Sequence, residues 1–194
     1  MALLLGLLRP LQLTNDAVLA LGRALAMAAL AVMVSFILYQ IIMRYAFDSA
    51  PNWTEEGARF LMLWMTGLIA PMAYRQGGFV AIDMLERAVP GLLARLLVLI
   101  LLALSGLVIL KCAQLGWDNV NSLTGRGKSA SLRLPLDWFG GERVKFRNNW
   151  AYMSLFVGFV LLTLVNIELI LRQIITLLGG GETLTPLEDA GPID

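Results

Sequence analysis

The sequence predicts an all-α membrane protein with four transmembrane helices and a short amphipathic surface helix between helices two and three. Hydrophobic residues make up 58% of the 194 residues, and only 15% are charged. Soluble domains are typically about 25% charged. The apolar residues are also gathered in four long runs, and a helix needs about 20 mainly apolar residues to cross the hydrocarbon of a bilayer. We therefore expect the chain to fold in lipid.

Those four runs set the expected domain organisation, a single four-helix transmembrane domain over residues 1–194. The longest connection is expected at 116–150. The helix that carries the first span is expected to begin after Thr14, Asn15 and Asp16, because these residue types cap helix N-termini well. The spans are placed at about 24–46, 55–76, 92–115 and 151–178.

A separate amphipathic segment lies between the second and third spans, at residues 79–89. Its apolar side chains fall on one helical face, and Asp83 and Arg87 stand on the other at the four-residue spacing of a helical ion pair. The segment is too short to cross a bilayer. It is therefore predicted to be a helix that lies on the membrane surface.

The basic residues give two conflicting signals about orientation. The turn at 46–54 has no Lys or Arg, whereas the next loop region contains Arg75, Arg87 and Arg95. Because early helices usually dominate orientation and basic loops stay inside, this difference favours both termini in the cytoplasm. The total count of basic residues favours the opposite arrangement, since the loop 116–150 is rich in Lys and Arg.

The start of the second span carries the strongest local pattern of charged residues. Glu55 and Arg59 are four residues apart with the acid first, which is the favourable order in a helix. Asn52 followed by Glu55 resembles a capping box. Two interpretations remain open: Glu55, Glu56 and Arg59 form a well-capped helix start, or they contact a partner, because charges near the hydrocarbon are costly unless they serve a function.

The fourth span contains a second acid and base at the same spacing, Glu168 and Arg172. One interpretation is a pair near the helix end that extends toward the interface. The other is a buried contact between helices or an ion site. Trp64 in the second span is expected to be a packing residue rather than a platform for a ligand.

The residue types that support catalysis are scarce in this sequence. It has no histidine and a single cysteine, Cys112, so it lacks the usual axial ligands of haem and the Cys and His sets that bind zinc. We therefore expect no enzymatic activity, no cofactor and no metal site. The net charge of +1 gives no reason to expect nucleic acid as a partner.

Several motifs together resemble the small membrane subunit of tripartite ATP-independent periplasmic (TRAP) transporters, the DctQ family. The residues that carry the resemblance are Trp53, Glu55, Glu56, Arg59, Trp64, the run Tyr74-Arg75-Gln76-Gly77-Gly78-Phe79-Val80-Ala81-Ile82-Asp83 and the upstream run Arg44-Tyr45-Ala46-Phe47. Phe79 stands where the family often has a histidine. The helix number and length extend the resemblance to the whole chain.

The resemblance implies a non-catalytic scaffold subunit in the bacterial inner membrane, surrounded by membrane lipid. Its partners would be a large DctM-type membrane subunit, which moves an organic acid by an elevator-like motion coupled to sodium, and a periplasmic substrate-binding protein. The alternative is a stand-alone four-helix membrane protein, such as an assembly factor or a small channel. The residues expected at the subunit interface or in the structural motif are Trp53, Glu55, Glu56, Arg59, Trp64, Arg75 and Asp83.

Overall fold

A computed structural model describes residues 2–49, 51–76, 92–122, 127–134 and 144–180. The described chain is helical apart from one two-stranded antiparallel sheet within the predicted loop. The predicted surface helix at 79–89, including Asp83, lies outside the described residues. The elements are the helices α1 (Ala2–Ala46), α2 (Asn52–Arg75), α3 (Leu92–Asn121) and α4 (Asn149–Leu177) and the strands β1 (Lys128–Leu134) and β2 (Val144–Arg147).

Three of the described helices are long and apolar enough to cross a membrane: α1 over Leu8–Ala46, α3 and α4. This agrees with the predicted class of an α-helical membrane protein. Only 6% of the most apolar stretch of α1 is buried inside the protein, against 28% of that of α4. Helix α2 does not reach the same apolar character, because it carries charged residues at both ends.

The helices lie side by side in the order α1, α2, α4, α3, with α4 in contact with all three others. Helix α2 runs antiparallel to α1, since Trp53 packs on Phe36 at one end and Arg75 pairs with Asp16 at the other. Helices α2 and α4 run parallel. A small core joins the four helices and consists of Leu19, Tyr74, Ile109 and Val165.

The outer helix α1 buries a single narrow stripe. Its buried residues recur every three, four or seven positions, as expected for a helix that contacts its neighbours along one face. Most of its other large apolar side chains are exposed, for example Leu13 at 70% and Leu21 at 61%. The residues of the stripe are Leu8, Asn15, Leu19, Gly22 and Ala26.

The predicted start of α1 after Thr14, Asn15 and Asp16 is wrong. The helix begins at Ala2 and passes through this segment without interruption. The Thr14 hydroxyl donates to the Leu11 carbonyl at 2.9 Å, which is a bond within the helix. Asn15 and Asp16 bond to other helices, so neither side chain caps α1. At 45 residues, α1 is about 67 Å long and exceeds the hydrocarbon thickness of about 30 Å.

The predicted capping box at the start of α2 is also wrong. Pro51, in an extended conformation, is the N-cap residue, and no side chain caps the helix. Asn52 is the first residue of α2 and lies one position too late to act as its cap. The Glu55 carboxylate, which would have to reach back to the cap, pairs with Arg59 instead.

Candidate functional site

A cluster of charged and amide side chains lies at the level where α2 ends. We call Asn15, Asp16, Arg75, Glu168 and Arg172 the polar cluster. Glu168 is its centre and is completely buried. One carboxylate oxygen of Glu168, Oε2, accepts a hydrogen bond from Asn15 Nδ2 at 2.7 Å. The other, Oε1, accepts from Arg75 Nη2 at 2.8 Å and from Arg172 Nε at 3.1 Å.

Arg75 links the buried part of the cluster to its exposed edge. Its guanidinium contacts Glu168 of α4 and Asp16 of α1, and only 13% of its side chain is exposed. Asp16 is 58% exposed, so the second carboxylate lies at the rim of the cluster. Two carboxylates therefore face two guanidinium groups, and the formal charges cancel. Such matching is needed because an unpaired charge in this environment is costly.

Three helices supply the cluster, and local sequence accounts for the position of each side chain. Arg75 is the last residue of α2, where a cation also interacts favourably with the negative end of the helix dipole. Glu168 and Arg172 are one turn apart on α4 and therefore lie on the same face. Asn15 belongs to the buried stripe of α1, which directs its amide at Glu168.

A second polar contact, close to the polar cluster, connects α3 to α2 and α4. Asn166 of α4 is 2% exposed. Its side-chain amide donates to the Tyr74 hydroxyl of α2 and to the Leu102 carbonyl of α3, the latter at 3.3 Å. Gly106 of α3 faces the Asn166 carbonyl closely, since a Cβ atom at Gly106 would lie 2.6 Å from that oxygen. The polar cluster and the Asn166 contact together join all four helices.

Nearer the middle of α2, the contact with α4 depends on the absence of side chains. A Cβ atom at Gly67 would lie 2.6 Å from the Ser154 carbonyl oxygen. A Cβ atom at Gly158 would lie 2.9 Å from the Gly67 carbonyl oxygen. Small residues allow this close approach of two helices, which is a main source of helix association in lipid.

The residues predicted at the start of α2 lie at the other end of this helix from the polar cluster. Twenty residues separate Glu55 from Arg75, which is about 30 Å along a helix. Glu55 and Arg59 pair on the surface, with 55% and 74% of their side chains exposed. Trp53 packs on Phe36 of α1 with a ring-centroid distance of 5.4 Å.

Trp64 connects α2 to the beginning of α4. Its indole N–H donates to the Trp150 carbonyl at 3.1 Å, and its ring packs beside Phe60. Trp64 therefore contacts residues of both α2 and α4. Of the predicted interface residues that the structure describes, only Arg75 contacts the pair Glu168 and Arg172.

The sequence analysis did not identify four residues of the polar cluster and the Asn166 contact. Asn15 and Asp16 were interpreted as helix caps, and Tyr74 and Asn166 were not selected as site residues. A signal was present, because Asn166 lies two residues before Glu168 in an otherwise apolar helix, and polar groups inside membrane helices usually have partners. What the sequence lacked was any indication of which residues those partners would be.

The chemistry available to the polar cluster is binding between helices. Every charged group in it has a partner of opposite charge, and the Glu168 carboxylate is shielded from solvent. In the parts of the chain that the structure describes, no group of three or more His, Cys, Asp or Glu side chains is placed to hold a metal ion. The cluster therefore fixes α1, α2 and α4 to one another.

Two comparisons with known proteins identify relatives of this chain. The chain is 30% identical over 66 residues to a protein of Haemophilus influenzae named "Putative TRAP transporter small permease protein". The aligned part is 34% of this chain and 41% of that protein, so it spans well under half the length of this relative. The family described as "Tripartite ATP-independent periplasmic transporters, DctQ component" matches residues 33–141. Because this match covers more than half of the chain, the protein belongs to the DctQ family of TRAP transporter components.

Proposed function

We propose that this chain is the small permease subunit of a TRAP transporter and braces the large permease subunit in the bacterial inner membrane. The observation that supports this role is the polar cluster, which ties α1, α2 and α4 into one unit through a fully buried carboxylate. A scaffold must resist the motion of its partner, and matched buried charges hold helices in one arrangement. The chain itself would neither bind nor move the solute.

We propose further that α2 also spans the membrane, which gives a single four-helix transmembrane domain over residues 1–194. Its 24 residues correspond to about 36 Å of helix, enough to cross about 30 Å of hydrocarbon. It lies between α1 and α4, which leaves less of its surface to face lipid. The basic residues Arg75, Arg95 and Arg172 would then mark the cytoplasmic side, and both termini would be cytoplasmic.

The remaining parts of the proposed transport cycle belong to other chains. A large DctM-type subunit would carry an organic acid together with sodium, and a periplasmic binding protein would deliver it. The name of the Haemophilus relative supports the assignment to the small permease subunit. The substrate class and the sodium coupling are proposed from the family resemblance.

The exposed apolar side of α1, together with the start of α2, is the proposed contact with the large subunit. Leu21, Leu25 and Met27 on α1 are each more than half exposed. The exposed pair Glu55 and Arg59 would add polar contacts at one end of this surface. Trp53, Glu56, Trp64 and the predicted surface helix with Asp83 would complete the motif that resembles the family.

The experiment is co-purification of the tagged chain with the large subunit in mild detergent, with uptake measured in the same strains. We expect the double variant Glu55→Gln/Arg59→Gln to lower the yield of the complex and to lower uptake in proportion. The matched control is Lys111→Gln/Asp118→Asn, which removes one exposed base and one exposed acid from α3 and is expected to leave assembly intact.

Two outcomes would contradict the proposal. If the Glu55/Arg59 variant forms the complex with full affinity but does not transport, these residues do more than brace the partner. If the chain purifies as a homo-oligomer without a larger subunit and moves a solute across vesicles alone, the stand-alone channel is the correct class.

A further inference from the structure

The sheet between α3 and α4 is a short hairpin with an unusual distribution of charge. Strands β1 and β2 pair in antiparallel fashion, and the Asn148 N–H donates to the Gly127 carbonyl at 2.9 Å beside the last pair. Lys128 stands opposite Arg147 in the strand register, and Arg133 stands opposite Lys145. Both of these cross-strand pairs consist of two basic residues. Like charges directly opposite each other destabilise a sheet.

The described residues of the hairpin, 127–134 and 144–148, include no Asp or Glu that could neutralise this repulsion. Lys128, Lys145 and Arg147 are exposed, and none of the three forms an ion pair with another residue in the part of the chain that the structure describes. A pair of strands with unbalanced positive charge gains stability when an anionic partner binds. The arrangement therefore points to an external anion.

One face of β2 is fixed to the helices. Phe146 lies between Lys145 and Arg147 in sequence, and its ring packs edge-on against Phe60 of α2 with a centroid distance of 4.7 Å. Successive side chains of a strand point to opposite faces. Lys145 and Arg147 therefore project from the face opposite to Phe146, away from α2.

Aromatic residues favour a position of the hairpin near the membrane surface. Trp150 at the start of α4 is 56% exposed, and its ring lies 6.3 Å from that of Phe146. Trp117 near the end of α3 is 49% exposed. Exposed tryptophans at the ends of membrane helices favour the headgroup region of a bilayer, which favours a position of the basic face close to the lipid phosphates.

We propose that Lys128, Lys145 and Arg147 form a binding surface for anionic phospholipid headgroups, such as that of phosphatidylglycerol. The position beside Trp150 favours lipid over an acidic protein, because lipid headgroups surround a membrane protein at the depth that such a tryptophan favours. The bound phosphates neutralise the like-charged strand pairs and hold the hairpin against α2. This inference requires only that the helices lie in a membrane, and it does not depend on the transport role.

The test is native mass spectrometry of the delipidated full-length chain titrated with phosphatidylglycerol or phosphatidylcholine. The variant Lys128→Gln/Lys145→Gln/Arg147→Gln removes the three charges, and Lys128→Arg/Lys145→Arg/Arg147→Lys keeps them. The variant Arg9→Gln/Arg44→Gln/Arg95→Gln removes three exposed charges elsewhere. Circular dichroism and gel filtration check that every variant is folded.

We expect the neutral hairpin variant to bind phosphatidylglycerol roughly tenfold or more weakly, and the charge-preserving and remote variants to stay within about twofold of the wild type. Binding should also weaken as salt rises, since exposed charges are screened. Equal binding of the two lipids, unchanged binding by the neutral hairpin variant, or an equal loss in the remote variant would each overturn the proposal. Unchanged lipid binding together with lost binding of the periplasmic partner protein would assign the surface to an acidic protein instead.

Discussion

The protein contains two pairs of glutamate and arginine with the same sequence spacing, and the structure gives them opposite environments. Glu55 and Arg59 at the start of α2 are 55% and 74% exposed. Glu168 and Arg172 near the end of α4 are 0% and 12% exposed. Within the described residues, the first pair forms an ion pair only with itself, whereas Glu168 also binds Asn15 and Arg75 from two other helices.

The comparison shows that sequence spacing brings the two residues of a pair together, whereas burial determines how much the pair contributes to stability. An exposed pair in water contributes little to stability, because solvent screens it and two long side chains must be ordered. A buried pair has already lost its solvation, so removing one partner leaves a charge with no compensation. The same two residue types therefore form an exposed ion pair in one place and a buried contact between helices in the other.

The largest expected effect comes from removing the buried carboxylate. Glu168→Leu leaves Arg75 and Arg172 without their shared partner, and we expect a loss of about 3–5 kcal/mol in the free energy of unfolding. Reversible unfolding in detergent, followed by circular dichroism, measures this loss. Glu168→Gln, which keeps the size and an acceptor oxygen, should lose less. A Glu168→Leu variant as stable as the wild type would show that the cluster does not hold the helices together.

An intermediate effect is expected where α2 and α4 meet without side chains. Gly67→Ala places a Cβ atom 2.6 Å from the Ser154 carbonyl oxygen, and the helices must separate to accept it, at a cost of about 1–3 kcal/mol. Gly6→Ala is the matched control, since a Cβ atom there meets nothing within 4 Å. The same unfolding measurement applies. Equal stability of the two variants would mean that the close approach contributes nothing.

The smallest expected effect is at the exposed pair. Glu55→Gln or Arg59→Gln should change the free energy of unfolding of the isolated chain by less than about 0.5 kcal/mol, because the pair is exposed to solvent. The isolated subunit is the right sample, since any contact with the large subunit is then absent. A loss comparable to that of Glu168→Leu would show that exposure does not distinguish the two pairs.

The sequence predicts those helices whose existence follows from a long apolar run. Helices α3 and α4 coincide with runs that are long and apolar enough to span a membrane, and such runs are visible in the sequence. The hairpin was not anticipated, because its strands are seven and four residues long and lie in a polar connection. The N-cap interpretation of Asn15 and Asp16 failed because these residues have partners more than 50 residues away, and capping rules consider only neighbours in sequence.

By itself, the sequence determined the class of protein and the local pairs. Lipid as solvent follows from composition, and the facing of Glu168 and Arg172 follows from the period of an α-helix. Only the tertiary structure decided that Asn15, 153 residues before Glu168, and Arg75 would meet the same carboxylate. Whether a charge is buried depends on which helices pack together and on how they are shifted along their axes. That arrangement depends on contacts such as Gly67 against Gly158, which no local sequence pattern specifies.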